Sequence, residues 1–396
     1  MAAELQGAGV YLDACATSPP AAPVLQAMAD AQAEAWANPS SLHGFGLAAA
    51  ERLERSRLQV AAHLGADPGQ LVFLSGGSEA NHAALLGAAA RLPPGRVLIS
   101  AVEHPALVAA AAQLAQRGWE VQLLAVDDSG VVDLDVLERL LEPPTRLVSV
   151  LWGQSEVGTV QPIEAIGARC RAAGVLFHTD AVQVVGHRPV DLGQLPVDLL
   201  SCTAHKLQGP RGIGALALAP GVEISPLIGG GGQEGGRRGG TEPVALAAGF
   251  AAALDLAAGR LASQEGRDPL EPLRDRLLEA LLALPGIRLS GPRPGEGSGR
   301  LPHHISLLVA DPTGQPLPGR ALVRALWREG YAVSSGSACS SGAGSGASPV
   351  LLAMGLPETV AASGLRISLG PWLQPEQLEG LPAALERARA AVAGAG

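Results

Sequence analysis

The chain of 396 residues contains a single lysine, Lys206; the other 27 of its 28 basic side chains are arginines. Arginine stays protonated in proteins, whereas a desolvated lysine amine can lose its proton and attack a carbonyl carbon. One retained lysine therefore points to chemistry that arginine cannot do, although drift from Lys to Arg would also leave a survivor, so the neighbouring residues must decide. Aromatic residues are equally scarce at 3%, against 47% hydrophobic residues overall, so the core has to be built from Ala, Leu and Val. Only four cysteines occur (Cys15, Cys170, Cys202 and Cys339), far apart and without C-x-x-C spacing. Neither a disulfide framework nor a zinc site is indicated, and a reducing cytoplasm is the expected location. No basic run exceeds Arg237-Arg238 and the net charge is −9, which argues against nucleic acid as a partner. The N-terminus lacks a positive leader, and the sequence suggests no apolar run long enough to cross a bilayer, so neither secretion nor a membrane is expected.

What is present alternates between strand-like and helix-like segments, the signature of an α/β chain. Strands are expected at Leu71–Leu74, Val97–Ser100, Val121–Val126, Leu147–Trp152, Val175–His178, Asp198–Cys202 and Ile213–Leu218, with helical patterns such as 79–91, 105–117 and 162–173 between them. Several of these strands are continuous apolar runs, as expected when both faces of a sheet are covered. The pattern changes near 259–271, giving a large domain over 14–260 and a smaller one over 261–396 that includes residues 1–13. The 51 glycines and 31 prolines imply frequent sharp turns. The Gly229–Thr241 run is so glycine-rich that it reads as an unpacked segment crossing to a second subunit.

Lys206 follows an apolar strand that also delivers Thr203 and His205, and a Gly/Pro turn comes after it. Side chains at strand ends are where α/β proteins place their chemistry. The chemistry that fits the amine is a Schiff base, most commonly with pyridoxal 5′-phosphate (PLP). In Ser75-Gly76-Gly77-Ser78-Glu79-Ala80-Asn81 a strand feeds small residues into a helix start, where free N–H groups and the Ser78 hydroxyl suit a phosphate. The same residues would also serve as a plain serine N-cap. Asp180 ends another apolar strand, where a carboxylate is costly to bury unless it faces a cation such as a pyridinium nitrogen. His104 could lie on a ring face and shuttle a proton; a helix-capping Asp and a loop His are the plain alternatives. Four such features at strand ends of one sheet favour a cofactor site.

The segments Ser75–Asn81, Glu103-His104, His178-Thr179-Asp180-Ala181-Val182-Gln183 and Thr203-Ala204-His205-Lys206 resemble the class-V group of fold-type-I PLP enzymes. Asn38-Pro39-Ser40-Ser41-Leu42-His43, Arg238-Gly239-Gly240-Thr241, Ser334–Ser340 and Arg366-Ile367-Ser368-Leu369-Gly370 are similar to the cysteine desulfurases within it, of the iron–sulfur-cluster type. The resemblance runs from about residue 10 to 372. It implies a three-layer αβα large domain with a mixed, mostly parallel sheet, a smaller α+β domain, and a homodimer with active sites at the subunit interface. It implies PLP bonded to Lys206, Asp180 on the pyridine nitrogen, His104 stacked on the ring and Gln183 at the ring hydroxyl. Gly77, Ser78, Thr203 and His205 would hold the phosphate, joined by Thr241 of the other subunit. Asn38, Ser155 and Arg366 would bind substrate, Arg366 through its carboxylate. One departure stands out: the family's Asn-Asn-Glu-x-Gly is here Gln154-Ser155-Glu156-Val157-Gly158, and Ser155 is too short to repeat the second Asn's contact without a water.

Cys339 lies in a Ser/Gly/Ala stretch with nothing able to pack, which reads as a flexible tether. About ten such residues span roughly 17 Å, enough to carry a thiolate from a pocket to an acceptor. The resemblance implies conversion of L-cysteine to L-alanine, with the sulfur held on Cys339 as a persulfide for an acceptor such as an iron–sulfur scaffold. A class-V lyase or aminotransferase acting without Cys339, such as a selenocysteine lyase, and a catalytically weak sulfur-assembly partner are the alternatives. Cys15, Cys170 and Cys202 read as inert packing, and His303-His304 lacks the partners a metal site needs.

Overall fold

The computed structural model describes residues 9–297, 299–336 and 346–394, so Cys339 lies outside the described residues. Its strands are β1 (Val10–Tyr11), β2 (Leu71–Leu74), β3 (Arg96–Ser100), β4 (Glu120–Leu124), β5 (Thr145–Ser149), β6 (Leu176–Asp180), β7 (Leu199–Thr203), β8 (Gly214–Leu218), β9 (Ile287–Leu289), β10 (His304–Val309), β11 (Tyr331–Ala332) and β12 (Gly364–Ser368). Seven of them form one sheet in the order β2-β8-β7-β6-β5-β3-β4. Its neighbours pair in parallel except β8, which runs antiparallel to both β2 and β7. Strands β2, β7 and β8 are buried at every position, which explains their lack of alternation: helices cover both faces.

On one face, Phe73, Phe177, Leu200 and Ala215 pack with Val24, Leu53, Ile166 and Phe250 of four helices. On the other, Val72, Ile99, Leu199 and Leu216 pack with Leu85, Leu107 and Leu114. With so few aromatics, these layers are filled by small aliphatic side chains at close spacing, as the composition requires. Helix Val244–Ala262 corrects one expectation, because its 19 residues with mean hydropathy 1.5 are long and apolar enough to cross a membrane. Its apolar residues are instead spent in the core: Ala247, Phe250, Ala253 and Leu254 are all buried there.

A second core gathers Leu277, Ile305, Leu322, Ile367 and Leu385 around the antiparallel sheet β12-β10-β9. Leu12 joins this core from the N-terminal strip, beside the parallel pair β1–β11. The strip therefore runs between the two cores. The Gly229–Thr241 run is also better fixed than its composition suggests. Glu234 in its centre is buried and takes Arg57 Nη1 and Nη2 at 2.8 Å each and the Phe73 N–H at 2.8 Å. Arg57 in turn lies over the Phe73 ring at 4.9 Å. Glycines supply the turns, including φ +63° and +80° at Gly235 and Gly236, while the Glu234–Arg57 pair, the Arg238–Glu79 pair at 3.2 Å and the bond of Arg237 to the Gly69 carbonyl at 2.6 Å anchor the segment.

Candidate active site

The C-terminal ends of β5, β6 and β7 open on a cavity of about 450 Å³ whose wall includes Lys206, Asp180, His104, Ser155 and Arg366. Lys206 enters it from a short helical turn, Ala204–Lys206, directly after β7. Its Nζ donates to the carbonyl of Ala16 at 2.7 Å and, more closely, to that of Cys15. Burial strips the ammonium of water and the Arg366 guanidinium repels it, so the amine drops from 10.5 to about 8. Carbonyl acceptors hold the nitrogen in place without adding a countercharge.

Asp180 ends β6 with both oxygens occupied. Asn81 Nδ2 donates to Oδ2 at 2.6 Å, and the Val182 N–H donates to Oδ1 at 2.9 Å. The carboxylate is thus oriented from its sides and still reaches the cavity. His104 caps the helix Pro105–Gln116, its Nδ1 accepting from the Ala106 N–H at 3.1 Å. Burial lowers its pKa, and Lys206 adds to the effect, so the ring stays neutral. Gln183 is tied to the carbonyl of Cys15 at 3.0 Å.

An adjoining cup is lined by Thr17, Ser75, Gly76, Gly77, Ser78, His205 and Arg211. Gly76 has φ +155°, and a Cβ on Gly77 would sit 2.9 Å from Val182, so the backbone approaches closely here because side chains are absent. The chain turns into the helix at Gly77, leaving its first N–H groups free toward the cup. His205 bonds Thr17 Oγ1 at 3.1 Å and is lowered to about 4, chiefly by burial, so it faces the cup as a neutral ring. The Thr203 hydroxyl donates to the Ile213 carbonyl at 3.1 Å.

Arg366, on β12, brings the second core's chemistry into the same cavity. Its Nη2 pairs with Asp13 at 2.7 Å and its Nη1 donates to the carbonyl of Ser155 at 3.0 Å, while Nε is buried without a partner among the described residues. Ser155 therefore takes part through its main chain, a contact that its short side chain does not limit. Three further wall atoms are buried without partners among the described residues: Asn81 Oδ1, Glu103 Oε2 and Glu156 Oε1. Glu103 Oε1 accepts from the Ser100 hydroxyl at 2.6 Å and the Leu151 N–H at 2.9 Å, yet burial raises the group to about 8.

The structure thus brings Gly77, Ser78, His104, Ser155, Asp180, Gln183, Thr203, His205, Lys206 and Arg366 to one cavity. Two expected residues stand apart from it. Asn38 is exposed, its Oδ1 accepting from the Ser40 N–H at 2.9 Å, and Thr241 is exposed as well. Asp13, Asn81, Glu103 and Glu156 carry no assigned role in the sequence reading, although the last three sit in quoted motifs. Cys15 is buried and its thiol is pushed up by burial, as inert packing would be, but its carbonyl holds both Lys206 and Gln183. His303 is likewise engaged, stacked on His187 at 3.8 Å with Nε2 3.3 Å from Cys15 Sγ.

The family model described as Aminotransferase class-V matches residues 10–381. The chain is 38% identical over 381 residues to the cysteine desulfurase IscS of Dictyoglomus turgidum, covering 96% of this chain and 94% of that protein. It is 39% identical to cysteine desulfurase 2 of Trichormus variabilis, with the same two coverages, 96% and 94%. The chain belongs to the cysteine desulfurases of aminotransferase class V. Solved structures agree with this membership. A NifS-like protein superposes with a TM-score of 0.86 at 32% identity, covering 98% of this chain and 100% of that one. A protein named SspA, solved in complex with cysteine, superposes with a TM-score of 0.77 at 32% identity, covering 92% and 99%. Cysteine desulfurases are PLP-dependent enzymes, and the mixed, mostly parallel sheet flanked by helices is their fold.

Proposed function

We propose that this chain converts L-cysteine to L-alanine and transfers the sulfur to Cys339 as a persulfide. The observation that carries the reading is one cavity holding a lysine amine lowered to about 8 together with an arginine whose Nε lacks a partner among the described residues. The residues present fit PLP. Lys206 offers a nucleophilic amine, Asp180 a fixed anion for the ring nitrogen, His104 a neutral ring for stacking, and Gln183 an amide for the ring hydroxyl. The cup that Gly77, Ser78 and His205 line offers hydroxyl and N–H donors for the phosphate, with Thr203 on the wall of the adjoining cavity. PLP bound at Lys206 supplies an electron sink for a carbanion at the substrate's Cα.

Arg366 takes the substrate carboxylate, and Asp13 with the Ser155 carbonyl fixes the plane of its guanidinium. The freed Lys206 amine, held near its working pKa, moves the Cα proton. Asn81 and the Val182 N–H keep the Asp180 carboxylate aimed. The Cys339 thiolate forms a bond to the substrate sulfur as the C–S bond breaks. The electron pair goes to carbon, which takes up a proton and leaves as alanine.

The partners belong to the same proposal. Asn38 and Thr241 are exposed and outside their own subunit's cavity, which supports a homodimer in which a neighbour supplies them. The sulfur acceptor is proposed to be an iron–sulfur scaffold or another thiolation protein, in the cytoplasm. The test is release of alanine and sulfide from L-cysteine, measured with and without reductant. Alanine without reductant should stop at one turnover per site, and reductant should restore cycling. No alanine from a PLP-loaded protein would refute the reading.

A further inference from the structure

The Ser155 carbonyl that steadies Arg366 has a second donor behind it. His304 Nε2 lies 3.0 Å from the same oxygen. His304 begins β10 opposite Ser368, and Arg366 on β12 lies opposite Ser306. Two residues apart along an antiparallel pair, His304 and Arg366 project from the same face of the sheet. Both are buried. A carbonyl oxygen only accepts, so the ring proton sits on Nε2, and Nδ1 faces Arg300 Nη1 at 3.5 Å. Burial, with Arg300 and Arg366 beside the ring, holds its pKa well below the usual histidine value, so it donates as a neutral imidazole.

The loop that carries this carbonyl is braced around it. The Gly158 N–H donates to the Gln154 carbonyl at 2.9 Å, Gln154 Oε1 accepts from the Val157 N–H at 3.1 Å, and Arg300 Nη1 donates to the Val157 carbonyl at 2.8 Å. Gly158 has φ +79°, and a Cβ on it would come within 2.5 Å of His304 Nδ1 and 2.8 Å of Arg300 Nη1. Imidazole and guanidinium therefore press directly on the loop backbone. A carbonyl oxygen has two lone pairs, and at Ser155 Arg366 and His304 take one each. Without His304 the peptide after Ser155 would be free to turn, and the guanidinium would turn with it about its bond to Asp13.

We infer that His304 is a positioning residue for recognition of the substrate carboxylate: its Nε2–H fixes the Ser155 carbonyl and, through it, the plane of Arg366. This rests on the proposed role of Arg366 as the carboxylate's partner. The experiment titrates PLP-loaded His304→Leu, His304→Ala and His304→Gln with L-cysteine and with cysteamine, reading the change in cofactor absorbance. Cysteamine has the same amine and thiol but no carboxylate. Loss of one neutral hydrogen bond should raise the half-saturating L-cysteine concentration roughly 3- to 10-fold in His304→Leu and His304→Ala, leaving that of cysteamine unmoved. His304→Gln, whose amide N–H reaches about as far as Nε2, should recover most of the preference for L-cysteine. Parental L-cysteine titrations in the Leu and Ala variants would overturn the inference. Equal rises for both compounds, or a Gln variant no better than the Leu one, would do so as well. Failure of both apolar variants to hold PLP while His304→Gln holds it would assign the residue to folding and overturn the positioning role. Arg366→Gln separates the two claims, because it should abolish the preference for L-cysteine over cysteamine. If that preference persists, Arg366 does not take the carboxylate and the functional reading fails at that point, whatever His304 does.

Discussion

Apo-protein given PLP at a series of pH values should capture it at a rate that climbs through about pH 8 and levels off above, since Lys206 titrates there and not at 10.5. Only the neutral amine attacks an aldehyde carbon. The sign follows from the cause: burial penalises the ammonium form and Arg366 repels it, so both push the proton off at lower pH. At pH 7 a pKa of about 8 leaves roughly one amine in eleven neutral, against about one in three thousand for an ordinary lysine, a ~300-fold gain. The assay mixes apo-protein with PLP briefly, reduces with borohydride and counts pyridoxyl groups by peptide mass. With one lysine in the sequence, a single label at Lys206 is expected. A capture rate still rising steeply through pH 10 would show that the cavity does not activate the amine. Label confined to the N-terminal amine would remove Lys206 from the chemistry altogether.

Cys339→Ser should bind PLP and respond spectrally to L-cysteine, yet lose alanine and sulfide production by orders of magnitude, because a hydroxyl does not act as the thiolate; turnover near the parental rate would indicate a lyase. Cys15→Ser, Cys170→Ser and Cys202→Ser should keep most activity, measured by alanine release. Glu234→Ala removes the buried carboxylate from Arg57, leaving it Glu54 at 3.1 Å and the Leu71 carbonyl at 2.9 Å, and strands the Phe73 N–H in the interior; it should cost about 3 kcal/mol in denaturant unfolding, and a loss under about 1 kcal/mol would mean that the loop contributes little to stability. Full activity in a protein that sediments as a monomer at micromolar concentration would refute the exchange of Thr241 between subunits.

The parts of the site that lie at strand ends were legible in the sequence, because an apolar run followed by a polar residue and a turn has few other readings. Lys206, Asp180 and His104 are of this kind. The residues that hold them were not legible, because their partners are distant in sequence and no local pattern marks them. Asp13 meets Arg366 across 353 positions, and Asn81 meets Asp180 across 99. The Cys15 and Ala16 carbonyls act through the main chain, where side-chain identity carries no signal. The Gly229–Thr241 run misled for the opposite reason: its composition describes the turns, whereas its anchoring depends on Glu234 meeting an arginine 177 positions away and on Arg238 meeting Glu79 across 159 positions. In strand lengths the expectations erred at the ends. The run expected to 126 stops at Leu124, before the Asp127–Gly130 turn takes over the backbone bonds.

The short strip before residue 19 has a consequence for how the enzyme is made. It is translated long before its partners: Cys15 N bonds Ser368 and Asp13 bonds Arg366, each 353 positions later. Its carbonyls are also the resting place of the Lys206 amine. The large sheet can fold during synthesis as its strands emerge, while the cavity wall closes only when the last strand has been translated. A truncated or stalled chain would present the lysine without the carbonyls, the arginine or the second core. Competence for chemistry is therefore tied to translation of β12.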